Sequence, residues 1–337
     1  MLRALVSDSA RAAYGSLLLD LVDDLELLTP TEADAAGTID AAWVSADLLY
    51  EGSAAAFADA LLGATGLRWV QTAFAGTDHP LYRPLLERGV AVSSSHENSI
   101  AIAEYVLGAV LRAYQQPERW VEAQRAHDWA HHEFKEIYGS TWLVVGLGAI
   151  GGAVASRARS FGAHVIGVRR RVSTEFAADE LISPDQLATR LGDADVVVLA
   201  RPGAAAEPAL VDKAFLAAMK EGSLLVNVAR GSLVDSGALL VALDAGIPAL
   251  AILDVFDPEP LSPSSPLWEH PRVVLTPHSS AGGLGRHRRN ALLFAENLSA
   301  FARGLPLRNL ITLADLQEGS SAPAQFSAEA QDRSERG

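Results

Sequence analysis

The sequence predicts an α/β fold of two doubly wound parallel-sheet domains, and three observations carry that reading. Short apolar runs alternate with longer helical patterns in two successive series, the alternation that gives parallel strands joined by crossover helices. A length of 337 residues suits two domains with sizeable cores. A glycine-rich turn, GLGAIG at 146–151, links a β-branched run to a good helix at the head of the second series.

In chain order, the first series predicts strands at 3–6, 43–46, 68–72 and 90–93, with Ala- and Leu-rich stretches between them. A helix is expected over 99–116. Ile102, Val106, Ala109, Val110 and Ala113 recur at helical spacing, Asn98 stands as N-cap, and Pro117 marks the end. Residues 118–138 are polar with Trp120, Trp129 and Phe134 interspersed, and read as an extended arm. Six further runs, at 142–145, 164–168, 196–200, 224–228, 250–255 and 273–275, fit a complete doubly wound sheet. Residues 318–337 hold a single aromatic, Phe326, among Ser, Ala, Glu and Gln, and are expected to be disordered.

Composition excludes several classes. With 27 Lys+Arg against 41 Asp+Glu, a net charge of -14 would repel phosphates, so no nucleic-acid partner is expected. The absence of Cys removes disulfides, thiolate metal sites and a Cys nucleophile, and points to the cytoplasm. No run approaches the ~18 to 20 apolar residues of a membrane span. Asp8 interrupts the start before a signal-peptide core could form. His127 and His131 are four apart, but H-E-x-x-H is missing and no metal is expected. Trp129 reads as a core or interface residue, Asp78 as a helix cap, and Arg286 to Arg289 as a solvated face.

The glycine turn has the full context of a dinucleotide site. Gly146 would make the tight turn, Gly148 would let a pyrophosphate approach the backbone, and Gly151 would let helix and strand pack closely. Ala149 and Ile150 open the helix whose unpaired N–H groups would face the diphosphate. At the end of the next strand an NAD site wants Asp or Glu. This chain has Arg169, Arg170 and Arg171, with no acid before Glu175. Guanidinium groups there suit a 2′-phosphate, so NADP(H) is preferred and NAD(H) is the other possibility.

Three chemistry-bearing residues follow apolar runs, at the rim where open α/β sheets bind ligands. Arg230 can clamp a carboxylate with two parallel bonds and polarise a carbonyl. His278 can exchange a proton near neutral pH, and Glu259 beside it would favour its charged form. Together with a dinucleotide motif they point to an oxidoreductase site.

With GLGAIG at 146–151, the segments NVARGSLVD (227–235), LDVFDPEP (253–260) and TPHSSA (276–281) resemble the D-isomer-specific 2-hydroxyacid dehydrogenase family; AEYVLG (103–108) and AGTD (75–78) add support. The resemblance covers roughly residues 40 to 310. It implies Arg230, Glu259 and His278 as the catalytic set, and Asp254 against the nicotinamide end of the cofactor. Ala75 and Gly76 would offer amides to the substrate carboxylate, and Pro202, Val228, Ala229 and His278 would complete the cofactor contacts. It also implies a Rossmann cofactor domain, 98–286, inserted into a flavodoxin-like substrate domain, 1–97 plus 287–317, with the site in the cleft and a twofold homodimer formed through the arm.

There are departures. Phe74 replaces a usually small residue, and Arg201 replaces an apolar one. Glu259 argues against the formate dehydrogenase branch, and the lack of a regulatory domain after 317 disfavours the long phosphoglycerate dehydrogenases. The Arg run resembles the NADPH-using glyoxylate/hydroxypyruvate reductase branch. The function expected is reduction of a small 2-oxo acid, such as glyoxylate or hydroxypyruvate. The alternative is a non-enzymatic dinucleotide sensor, as in the corepressor relatives.

Overall fold

A computed structural model of the chain describes residues 1–36, 38–49, 52–76, 79–169, 178–201 and 207–316. The expectations placed on Asp78, Arg170, Arg171, Pro202 and the tail at 318–337 fall outside those residues. The strands are β1 (Leu2–Leu5), β2 (Leu25–Leu28), β3 (Ala41–Val44), β4 (Trp69–Thr72), β5 (Ala91–Ser93), β6 (Thr141–Val145), β7 (His164–Val168), β8 (Glu180–Ile182), β9 (Val196–Leu199), β10 (Leu224–Asn227), β11 (Leu250–Leu253), β12 (Val273–Leu275) and β13 (Leu310–Ile311).

Two compact units result, Met1–Asn98 with the segment from Leu284 on, and Ser99–Gly283. The first has a sheet of order β13-β5-β4-β3-β1-β2, parallel except for β13, which pairs antiparallel with β5. Its parallel part follows the flavodoxin-like 2-1-3-4-5 order. The second has a parallel sheet of order β12-β11-β10-β9-β6-β7-β8, the doubly wound order with one strand more. All ten apolar runs expected from the sequence are strands. The three not expected, β2, β8 and β13, each lie at a sheet edge. Edge strands are half covered, so they need no continuous apolar run; β2 and β8 carry Glu26 and Glu180.

The inner strands are mostly apolar because both faces of each sheet are covered. In the second unit, Leu143, Val145, Val197, Leu199 and Leu225 face one core, while Trp142, Val144, Val196, Val198 and Val226 face the other. The helix Ser99–Gln115 buries Ile102, Val106 and Val110 in that second core, packed on the helix Ala149–Ser160. In the first unit the returning helix Gly285–Ala302 supplies Phe294. Its ring stacks on Trp43 at 5.3 Å and on Trp69 at 5.4 Å, both tilted by only 16°. Asn297 from the same helix donates to Gln71 Oε1 of β4 at 2.8 Å.

Two local expectations are corrected. Residues 118–138 are not an extended arm throughout: Pro117–Ala126 is a helix, with Pro117 at its first position. A proline that cannot continue one helix is well suited to begin the next, because its fixed φ and missing N–H cost nothing there. Asn98 does not cap the helix Ser99–Gln115. Its Nδ2 donates to the Ala73 carbonyl at 3.3 Å, and its buried Oδ1 has no hydrogen-bond partner.

Registry sets the position of the site. Val145 pairs with Val168 and Leu199, Leu199 with Asn227, Asn227 with Leu253, and Leu253 with Leu275. The carboxyl ends of six strands therefore lie in one row, and the segments after them leave from a single edge.

Candidate active site

The glycine turn leaves that row from β6. Gly146 has φ +99, and a Cβ on it would lie 2.7 Å from the Arg201 backbone; a Cβ on Gly151 would lie 1.8 Å from the Gly146 carbonyl oxygen. Only glycine fits at either position. Around Gly148 there is open space, and no side chain caps the helix that starts at Ala149 and Ile150. A tight turn, an uncapped helix N-terminus and room above the middle glycine fit a dinucleotide pyrophosphate. Gly167 of β7 has a role that the sequence reading missed. A Cβ there would strike Leu147 at 2.1 Å, so this glycine makes room for the turn. A glycine inside an apolar strand run was the available signal.

Arg169 follows β7. Its amide donates to Ile182 of β8 at 3.0 Å, while the preceding carbonyl, Val168, accepts from Gly146 at 3.1 Å. The backbone of Arg169 is thus held beside the glycine turn.

Arg230 stands in a turn locked by its neighbours. Asn227, fully buried, donates through Nδ2 to the Arg230 carbonyl at 2.9 Å and accepts the Ala229 amide at 3.1 Å. Val228 and Ala229 are buried in that turn. The guanidinium donates from Nη1 to the Ala229 carbonyl at 2.7 Å. Gly231 allows the turn to press against the next segment, since a Cβ there would lie 1.9 Å from the Phe256 carbonyl carbon. Neither Asn227 nor Gly231 had been singled out from sequence, although both lie in the NVARG segment.

The 256–259 turn holds Glu259 by a bond from the Phe256 amide to Oε1 at 2.9 Å, and Oε2 lies 2.8 Å from His278 Nδ1. An ionised carboxylate only accepts, so Nδ1 carries a proton and Nε2 remains for exchange. The Glu259 bond raises the His278 pKa; burial and the charge of Arg230 pull the other way, and Asp254 adds to the rise. Burial pushes the Glu259 carboxyl up, but the bonds from His278 and Phe256 with the charge of Arg230 hold it below its ordinary value. Glu259 and His278 are in hydrogen-bond contact, and the charge of Arg230 lowers the pKa of both; the three follow the adjacent strands β10, β11 and β12.

Asp254 is fully buried. Its Oδ1 accepts from the Thr276 hydroxyl at 2.5 Å and from the Ser279 and Ser280 amides at 2.7 and 3.1 Å, and its Oδ2 accepts from Ser280 at 3.0 Å. Ala75 and Gly76 belong to the other unit, half-buried past the carboxyl end of β4. Phe74 before them stacks on His79, with centroids 5.4 Å apart and planes within 8°. Trp129 is 91% exposed and is no core residue of this chain. His127 ends its helix and His131 lies beyond it, so the two are not a helical pair.

Comparison with known proteins gives a consistent answer. The family model described as D-isomer specific 2-hydroxyacid dehydrogenase, NAD binding domain, matches residues 107–280. A D-3-phosphoglycerate dehydrogenase of Archaeoglobus fulgidus is 31% identical over 263 residues, 77% of this chain and 50% of its own length. A glyoxylate reductase of Aeropyrum pernix is 36% identical over 176 residues, 52% of each chain. The chain spans about half the length of the curated relatives it matches. Among solved structures, a D-isomer specific 2-hydroxyacid dehydrogenase from Xanthobacter autotrophicus in complex with NADPH and MES superposes with a TM-score of 0.71. It is 26% identical, with 92% of this chain and 97% of that one covered. The match runs from the helix Ser99–Gln115 through the glycine turn to the His278 loop, and the chain belongs to the D-isomer specific 2-hydroxyacid dehydrogenase family.

Proposed function

We propose that the chain reduces a small 2-oxo acid to the D-2-hydroxy acid, with Arg230, Glu259 and His278 as its catalytic set. The observation that carries the reading is the 2.8 Å contact of His278 with Glu259, beside the charge of Arg230. Gly146, Gly148, Ala149, Ile150, Gly151, Val228 and Ala229 would hold a dinucleotide, with Pro202 and Arg170 as further expected contacts. When bound, the nicotinamide supplies the hydride that reaches the carbonyl carbon. His278 gives a proton to the carbonyl oxygen, and Glu259 stabilises the imidazolium that must be ready to give it. Arg230 binds the substrate carboxylate and polarises the carbonyl, and Ala75 and Gly76 stand as the further contacts that the family resemblance expects for that carboxylate. A panel of 2-oxo acids with NADPH and NADH, followed by nicotinamide absorbance, tests this. The absence of turnover with every 2-oxo acid would refute it.

For substrate we take glyoxylate or hydroxypyruvate, with support from the relative named glyoxylate reductase; the phosphoglycerate dehydrogenase relatives make the phosphorylated 2-oxo acid the comparison to run. For cofactor we take NADP(H). The supports are Arg169 at the end of β7, where no acid stands, and the NADPH bound in the Xanthobacter relative. Arg169→Asp is expected to weaken NADPH by roughly ten- to hundredfold, the scale of one charge-assisted contact, and to improve NADH. Binding titrations and kcat/KM with both cofactors check it, and equal or better NADH efficiency in the native protein would overturn it.

A homodimer in the cytoplasm goes with this reading. Trp120, Val121, Trp129, Phe134 and Tyr138 are all exposed between 120 and 138, an apolar surface that an isologous interface would cover. Light scattering should report twice the chain mass of 35.6 kDa, and a particle of the single-chain mass at micromolar concentration would contradict it.

A further inference from the structure

We infer that Tyr105, Thr276 and Asp254 form a positioning relay that fixes the backbone, and thereby the imidazole, of His278. The inference rests on the reading of His278 as proton donor. His278 has φ +50, in the left-handed region that L side chains rarely adopt, so its conformation needs to be held by its surroundings.

Asp254 holds it from two sides. Its carbonyl accepts the His278 amide at 2.8 Å, and its carboxylate takes the Thr276 hydroxyl and the Ser279 and Ser280 amides, which bracket His278 in sequence. Thr276 is also joined to Leu253, its amide donating to that carbonyl at 3.0 Å. Proton direction is fixed along the side chains. The carboxylate accepts, so the Thr276 hydroxyl donates to it and must accept from Tyr105, whose hydroxyl is 2.8 Å away. Tyr105 comes from the helix Ser99–Gln115, a rigid element packed in the core. Burial first, then the charge of Asp254, raises the phenol pKa against the lowering effect of Thr276, so Tyr105 remains a donor across the working range. The relay thus ties a strained loop to a core helix through one buried carboxylate. Asp254 does this through its own backbone and carboxylate, whatever else it contacts.

Among the described residues, the charged groups that act on His278 are Glu259, Asp254 and Arg230. If the relay slackens, the imidazole is no longer held against Glu259, whose bond is the main cause of its raised pKa, and it loses its proton at lower pH. The test is an NMR titration of His278 in the protein purified without cofactor, beside the pH profile of 2-oxo acid reduction. Thr276→Val should move the His278 titration and the alkaline limb of kcat to lower pH and cut kcat by about tenfold, the scale of one buried hydrogen bond, with KM little changed. Thr276→Ser, which keeps the hydroxyl, should restore both.

A folded Thr276→Val protein in which His278 titrates as in the native one would overturn the inference. Should that variant not fold, Tyr105→Phe takes its place: a smaller move in the same direction is expected, and native titration would overturn the inference. Failure of the underlying reading looks different, because His278→Ala would then retain reduction whatever the relay variants do.

Discussion

Replacing His278 by Ala is expected to lower the rate of 2-oxo acid reduction by about 10²–10⁴-fold, the range for loss of a positioned general acid. The carbonyl oxygen would have to take its proton from water, and nothing else in the 276–280 loop offers an acid. Stopped-flow reduction at saturating cofactor measures this, and near-native rates would remove His278 from the mechanism. The companion variant separates donor from support. The His278 pKa is raised, chiefly by the Glu259 bond, so the protonated form is complete below that pKa and is lost as pH rises through it. Reduction should therefore fall on the alkaline side. Glu259→Gln should move that fall to lower pH while leaving turnover at acid pH largely intact, since the imidazole there is still charged.

Arg230→Lys is expected to fail although it keeps the charge. A guanidinium is a planar fork that makes two parallel bonds to a carboxylate, whereas an ammonium is a point donor on a shorter reach. Here the fork also has a fixed base, because Nη1 is tied to the Ala229 carbonyl at 2.7 Å and Asn227 clamps the turn beneath it. Lysine would lose both the tie and the second contact. A loss on the order of 10²–10³ in kcat/KM is expected, the size seen when one preorganised donor to a developing oxyanion is removed. An Arg230→Lys variant with native kcat/KM would show that Arg230 neither binds the carboxylate nor polarises the carbonyl.

The sheet could be read from sequence because both of its faces are covered. Val196–Leu199 and Leu224–Asn227 are buried on each side, so nearly every position in them is apolar. Edge strands lack that constraint, and Glu180–Ile182 left no run to find. Pro117 carries two meanings, stop and start, and only the helix that follows decides between them. In the site, Arg230, Glu259 and His278 were visible because each follows a strand and belongs to a motif. Gly231 and Gly167 were not, since their reasons lie in Phe256 and Leu147, which the fold brings against them from elsewhere in the chain. Asp254 was pointed to only by the family resemblance, within the LDVFDPEP segment. That it is buried beneath the 276–280 loop depends on the pairing of β11 with β12, which composition does not encode.

The first unit is made from both ends of the chain, and that imposes an order on synthesis. Residues Ser99–Gly283 leave the ribosome before the helix Gly285–Ala302 exists, and they hold every strand of their own sheet. The unit begun second can therefore close first. Meanwhile Trp43 and Trp69 wait with the seat for Phe294 empty, and β5 waits for its neighbour β13. Until the helix Gly285–Ala302 has been made, the nascent N-terminal segment carries an aromatic surface that its own residues do not cover.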